Sequence, residues 1–510
     1  MKFRPLAISV GIAGLLALAA CGGGPGGNKG DSGLRAPASS RAAPSASSRP
    51  ELPADAKPEA RASASAKNQS AAPEEQKDTS AEQISTFALD VDTASYTYAR
   101  RTLQEGRWPE PGQIRPEEFV NAFRQDYTQP RDDGFTVHVD GAMMPSRNQA
   151  VLRVGLQTRA SDAAARRPAN LTFVIDVSGS MAEPGRLDLV KQSLDTLIDQ
   201  LAPGDQVSIV SFSDEATVLA SMTPLAARTE LHAAVDQLTV AGSTNLEAGL
   251  VTGYEQAAKA FRPAATNRVI LLSDGLANQG STEWRSILDR VKEYAGRQVT
   301  LLTVGVGRDY GDQLMEQLAD NGDGAAVYVS TQEDADKVFA SQLPATIELR
   351  ARDAKAQVVF NPSVVEGYQL IGYENRALST EEFRDDNRDG GEIGPGHSVT
   401  ALYAVRLKSG ATGQLAQATV RWQNPDTRNP AETSKSVDVG ALTESVWEKA
   451  PVRLQVDVVA AAFAVYMRDR EAFGLTLPTL GEQAKRLAEA AEDPMVTELA
   501  GLIDKARSVG

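Results

Sequence analysis

Residues 171–180 read LTFVIDVSGS. The run Leu171–Ile175 is apolar on almost every position and breaks abruptly into Asp, Ser and Gly. A strand that is apolar throughout is buried on both faces, which requires helices above and below its sheet. The same rhythm repeats downstream as DLVKQSLDTLIDQL, QVSIVSF, NLEAGLVTGYEQAAKAF, RVILLSDG, WRSILDRVKEYAG, VTLLTVGVG and DQLMEQLADNG. Strand and amphipathic helix alternate, so residues 170–343 are expected to form a doubly wound α/β domain with a mostly parallel, Rossmann-like sheet.

Outside this domain the pattern changes. Residues 84–130, including STFALDVDTASYTYARRTLQEGRWPEP and IRPEEFVNAFRQDY, carry apolar residues at helical spacing between Pro breaks and are expected to form a helical unit. In residues 131–169, FTVHVDGAMM and QAVLRVGLQT alternate on a period of two and predict a pair of strands. AKAQVVFNP, YQLIGYE, SVTALYAVRL and LAQATVRWQN make residues 344–440 an antiparallel β domain, and residues 441–510 are expected to close the chain as helices. The two early strands lack a sheet of their own. They are expected to join the later one, which makes the α/β domain an insertion bounded by a helical stretch, Gln332–Leu343, whose shift could couple the two parts.

At 510 residues the chain has room for about three domains. Lys plus Arg number 52 against 67 Asp plus Glu, a net charge of -15 that lacks the basic footprint of a nucleic-acid reader. Residues 1–20 place Lys2 and Arg4 ahead of the apolar run Leu6–Ala20, too short to span a bilayer and read as a signal peptide. Leu18-Ala19-Ala20-Cys21 resembles the lipobox of bacterial lipoproteins, and Cys21 is the one cysteine, so lipidation explains it better than a disulfide. Residues 21–83, rich in Gly, Pro, Ala and Ser, are expected to form a disordered linker from that anchor. In the lipoproteins it resembles, an aspartate after the lipidated cysteine signals inner-membrane retention; Gly22 stands there instead, so the resemblance implies the outer membrane of a two-membrane cell.

Three polar loops fall at strand ends or before a helix: Asp176-Val177-Ser178-Gly179-Ser180, Thr244 within AGSTNLEAGL, and Asp274-Gly275 after RVILLS. Ligands of open α/β sheets bind at the carboxyl ends of strands. Singly, each loop is an ordinary turn or helix cap. Together and in this order they resemble the metal-ion-dependent adhesion site of von Willebrand A domains. That resemblance implies a divalent cation, Mg2+ before Mn2+ or Ca2+, held by the hydroxyls of Ser178, Ser180 and Thr244 and, through water, by Asp176 and Asp274. Hard cations take oxygen ligands and retain waters, and neutral hydroxyls leave the metal charge poorly cancelled. The remaining position would then take a Glu or Asp carboxylate from a protein ligand. Gly179 lets the backbone fold both serines toward one ion. STFALDVDTASY, RPEEFVNAF and GEIGPGHSVTALYAV further resemble the flanks of a bacterial family of von Willebrand A lipoproteins, implying an adhesin, receptor or assembly scaffold of the cell envelope.

Rival readings are weaker. Asp90-Val91-Asp92-Thr93 resembles the nucleophile loop of haloacid dehalogenase-like phosphohydrolases, yet Thr93 comes one residue early and no doubly wound sheet surrounds it; capping or a turn fits better. Catalysis at the adhesion-like site would need an acid or base, and His138, His232 and His397 all lie outside the three loops. Neither an enzyme nor a small-molecule substrate is expected. Asp385-x-Asn387-x-Asp389-Gly390 copies half of a calcium loop, but Gly396 stands where a bidentate Glu belongs, so a polar hairpin loop is expected. A structural spacer with a purely stabilising metal is the remaining alternative.

Overall fold

The computed structural model describes residues 83–510 except 147, 161–166, 275–283, 308–312, 330, 336, 337, 340–348, 387–389, 471 and 472. Its first element is a strand, β1 (Ile84–Ala88), ahead of helices α1 (Ala94–Gln104) and α2 (Pro116–Asn121). This corrects the expectation of a purely helical unit over residues 84–130. The cause is tertiary: ISTFA is too short to show a period of its own, but it pairs antiparallel with β10 (Ala351–Phe360) and buries Phe87.

The hairpin β2 (Phe135–Met143) and β3 (Gln149–Thr158) follows, and β3 pairs with β14 (Ser398–Leu407) from Gln157–Ser398 to Gln149–Arg406. The chain leaves this sheet at Thr158 and returns to it after the whole α/β unit, which is therefore inserted into an antiparallel frame. One frame sheet runs β11 (Val365–Ile371), β14, β3, β2. The other runs β12 (Ala377–Leu378), β1, β10, β15 (Gln414–Gln423), β16 (Pro430–Asp438), with β13 (Gly391–Ile393) on β10. Their inner faces share one core that includes Phe87, Leu152, Val154, Val358, Phe360 and Tyr403. On the outer side of the first sheet, Val151 and Leu402 pack with Leu454, Val458 and Ala461 of helix α9 (Val452–Asp469). Helices α10 (Leu477–Ala491) and α11 (Pro494–Val509) complete a bundle with α1, α2 and α9 around Phe119, Phe123 and Phe463.

The inserted unit contains strands β4 (Ala169–Asp176), β5 (Gln206–Phe212), β6 (Ala216–Pro224), β7 (Thr266–Ser273), β8 (Val299–Val306) and β9 (Ala326–Val329) in the order β6-β5-β4-β7-β8-β9. All neighbours are parallel except β5 and β6. Helices α3 (Leu187–Gln200) and α4 (Arg228–Asp236) cover one face, meeting Phe173, Ile175, Ile270 and Leu272. Helices α5 (Leu246–Lys259), α6 (Trp284–Gly296) and α7 (Gln313–Asn321) cover the other, meeting Val174, Val269 and Leu271. Adjacent strand residues point to opposite faces, which is why β4 must be apolar at nearly every position. Each such buried side chain contributes about 1.5–3 kcal/mol.

Ion pairs fasten the insertion to the frame. Arg115, next to α2, makes two bonds to Glu316 of α7 at 2.7 and 2.9 Å. Arg100 of α1 reaches Asp334 of the short helix α8 (Gln332–Ala335) at 2.5 Å, and Arg352 of β10 meets Asp323 at 2.9 Å. The stretch expected to be helical through Leu343 is described as a helix over Gln332–Ala335, and residues 340–348 lie outside the described residues. Among the described residues no helix is long and apolar enough to cross a membrane. The apolar run Leu6–Ala20, Cys21 and the linker lie outside them.

Candidate metal centre

The sheet order reverses at β4, with β5 on one side and β7 on the other, so the carboxyl ends of these three strands enclose a crevice. Asp176 is the last residue of β4 and is 0% exposed. Its Oδ1 accepts the Ser178 backbone N–H at 2.8 Å, which folds the DVSGS turn, and its Oδ2 accepts the Ser273 hydroxyl at 2.7 Å from the end of β7. Burial pushes the Asp176 carboxyl above its ordinary value, and hydrogen bonds from Ser178 and Ser273 oppose that shift. The turn brings the hydroxyls of Ser178 and Ser180 to 3.1 Å from each other.

The second loop is laced to the first. Ala241 N–H donates to Val177 O at 2.7 Å and Gly179 N–H donates to Gly242 O at 3.1 Å, while Val177 N–H reaches Phe212 O of β5 at 2.9 Å. Gly242 has φ +58°, and a Cβ there would overlap the Asp214 carboxylate, so the crossing is built for glycine. Asp214 in turn accepts from the Ser243 hydroxyl at 2.5 Å. Thr244 lies in this loop, half-buried, beside Asn245. Asn245, not Thr244, caps α5, its side chain accepting from Ala248 N–H at 3.1 Å. The bland role open to Thr244 from the sequence is thus filled by its neighbour.

Asp274 directly follows Ser273 and is buried. Its Oδ2 accepts from the Arg186 guanidinium at 2.5 Å, and the same nitrogen donates to Ser180 O at 3.0 Å. Arg186 is a site residue that the sequence reading missed. It occupies the N-cap position of α3, where a cation opposes the helix dipole, but the local sequence around Pro184-Gly185-Arg186 reads as an exposed loop and gives no signal of this.

The donor chemistry suits a hard divalent cation. Two buried carboxylates and a pair of adjacent hydroxyls converge at strand ends, and Asp274 already holds a cationic group. Among the described residues no three His, Cys, Asp or Glu side chains cluster to hold a metal, so an ion here would depend on Ser178, Ser180 and Thr244 hydroxyls alongside Asp176 and Asp274.

The rival motifs do other work. Asp90 Oδ1 accepts Asp92 N–H at 2.8 Å in a turn and its Oδ2 accepts from Arg376 at 2.9 Å; Thr93 sits at the N-cap of α1 without a side-chain cap bond. His138 stacks on Tyr127, His232 bonds Asp195 at 2.6 Å, and His397 is half-buried in the frame with its imidazole pushed down to about 4 by desolvation and by Arg268. None belongs to the crevice. Asn387 and Asp389 of the calcium-like loop lie outside the described residues, whereas Asp386 pairs with Arg421 at 2.8 Å.

A doubly wound sheet carrying a DxSxS turn at its switch point defines the von Willebrand factor type A class, and the family model of that description matches residues 170–341. A second model, the YfbK C-terminal region, matches residues 345–413, and a third, described as von Willebrand factor, matches residues 63–153. The chain is a bacterial von Willebrand factor type A domain-containing protein with a C-terminal domain of the YfbK kind. Uncharacterized protein YfbK of Escherichia coli is 35% identical over 378 residues, 68% of this chain and 66% of that protein. Inter-alpha-trypsin inhibitor heavy chain H1 of Sus scrofa is 32% identical over 31% of this chain and 19% of its own length. The chain thus spans just under two thirds of the first relative and far less of the second. Among solved structures, a von Willebrand factor type A protein from Catenulispora acidiphila aligns with a TM-score of 0.45 and 15% identity over 73% of this chain and 91% of that one.

Proposed function

We propose that this chain is a lipid-anchored cell-envelope protein that captures an acidic protein ligand through a divalent cation, Mg2+ in the first instance, and that it is not an enzyme. The observation that carries the reading is the 3.1 Å hydroxyl pair of Ser178 and Ser180 beside the buried Asp176 carboxylate at the sheet's switch point. Ser178, Ser180 and Thr244 would offer neutral oxygens to the ion, with Asp176 and Asp274 completing its surroundings. Bound there, the ion would supply a Lewis-acidic site for a Glu or Asp carboxylate of the partner. The absence of histidine from the crevice favours binding over hydrolysis. Cys21 would anchor the body to the membrane, the outer one in a two-membrane cell, through the linker of residues 21–83.

The test is recovery of partners from envelope extracts with the full chain in Mg2+, in chelator, and with Asp274→Ala. Ligand capture in Mg2+ alone is expected. Equal recovery in all three conditions would refute metal-mediated binding and favour a structural spacer.

A further inference from the structure

Arg186 is buried where a charge is costly: its side chain is 3% exposed, and it stands at the N-terminus of α3, whose dipole repels it. One guanidinium nitrogen binds Asp274 Oδ2 at 2.5 Å and Ser180 O at 3.0 Å, and another lies 2.9 Å from the exposed Glu183 carboxylate. Its stem runs along Gly307, which has φ +106°; a Cβ at that position would come within 2.9 Å of Nε, so glycine leaves the room the arginine needs. A neutral Gln–Asn pair in place of Arg186 and Asp274 could keep a hydrogen bond between these positions without burying two opposite charges. What only the charge provides is compensation of the acidic site.

We propose that Arg186 is the built-in counter-cation of the metal site: it positions Asp274, substitutes for the ion when none is bound, and biases the loaded site toward anionic partners. This rests on the divalent-cation reading above. Among the buried groups, Asp176 and Asp274 bear two negative charges and Arg186 cancels one; Glu183, which also meets Arg186, is 67% exposed and its charge is screened by solvent. A divalent ion added to this set leaves a net positive centre, whereas without Arg186 the same ion would be neutralised. Arg186 therefore weakens cation binding and strengthens the pull on an incoming carboxylate. It acts through Asp274 and through charge, as a positioning residue.

The experiment measures Mn2+ affinity by calorimetry and melting temperature, with EDTA and with Mn2+, for the full chain and its Arg186→Gln and Arg186→Lys variants. Arg186→Gln is expected to bind Mn2+ at least about tenfold more tightly than wild type. It should also melt lower than wild type in EDTA and recover with Mn2+, because the ion then replaces the missing guanidinium. Arg186→Lys keeps the charge and should stay within about threefold of wild-type affinity. Equal or weaker Mn2+ binding by Arg186→Gln overturns the proposal, as does a variant unfolded both with and without Mn2+, or an Arg186→Lys variant as tight as Arg186→Gln. If wild type binds no Mn2+ at all, the divalent-cation reading itself falls; if wild type binds and the variants do not separate, only the role of Arg186 does.

Discussion

Replacing Asp176 by Asn should stabilise the metal-free protein while abolishing its response to divalent cations. Asp176 is 0% exposed and makes two hydrogen bonds, from Ser178 N–H at 2.8 Å and from the Ser273 hydroxyl at 2.7 Å. Asn keeps an oxygen for the Ser178 N–H and turns its NH2 toward Ser273, whose hydroxyl can rotate to accept. Both bonds survive, and the buried negative charge disappears. Arg186 pairs with Asp274 rather than with Asp176, so the substitution leaves no cation unpaired. Desolvating a carboxylate costs several kcal/mol, most of it offset here by the two hydrogen bonds, so the net gain in EDTA is about 1–2 kcal/mol. For a unit of this size that is a rise of roughly 2–8 °C in melting temperature. In saturating Mg2+ the order should invert, since a site filled at a hundred times its dissociation constant adds about 2.7 kcal/mol to wild type alone. Differential scanning calorimetry of both proteins in EDTA and in Mg2+ reads this crossing. An Asn variant that melts below wild type in EDTA, or that gains as much from Mg2+ as wild type does, would refute the assignment of Asp176 to a cation site.

The frame offers two further tests. Arg153 in β3 holds Asp140 through bonds of 2.8 and 2.7 Å and the fully buried Asp457 of α9 at 2.9 Å, so Arg153→Met should cost about 3–5 kcal/mol in urea unfolding at neutral pH, and Arg153→Met with Asp457→Leu should recover most of it; strictly additive losses would show that the pair is not the unit that matters. Glu117 and Glu118 of α2 are buried, and burial pushes their carboxyls up to about 7 and about 8, with Arg115 pulling Glu118 down against it. The unfolded chain ionises them near pH 4.3, so their stability is full below that pH and falls by roughly 1 kcal/mol per pH unit for each as pH climbs through these raised values. Glu118→Gln should therefore melt higher at pH 8 and flatten the thermal profile between pH 5 and 8; a curve parallel to wild type would contradict this.

Legibility followed burial geometry. LTFVID is a central strand covered on both faces, so its apolar run could mean little else, and the alternation in QAVLRVGLQT reported a strand of the frame whose partner lay beyond the insertion. β1 and β6 were illegible for opposite reasons. ISTFA has five residues and runs almost straight into α1, whose longer period overwhelms it. ATVLASMTP forms an antiparallel edge with none of its residues buried, so no apolar pattern is required of it. At the site, Asp176, Ser178, Ser180, Thr244 and Asp274 stood out because each is a turn-type residue at a strand end or before a helix. Arg186 did not, because a charged residue after Pro184-Gly185 reads as a solvated loop; only the chain's return to Asp274, supplied by β7 far along the sequence, buries it.

That return also ties the crevice to the frame. Arg186 lies against Gly307, and the Gly307 carbonyl accepts a bond from Arg101 of α1 at 3.3 Å, one residue from the Arg100–Asp334 pair. The contact chain thus runs from Asp274 through Arg186 and Gly307 to a helix outside the inserted unit. Gly307 cannot adjust by substitution, since its positive φ and the arginine stem exclude a side chain, and Arg101 is packed between frame and insertion. Displacing Arg186 from Asp274 would therefore change the packing against Gly307, the residue whose carbonyl accepts the bond from α1.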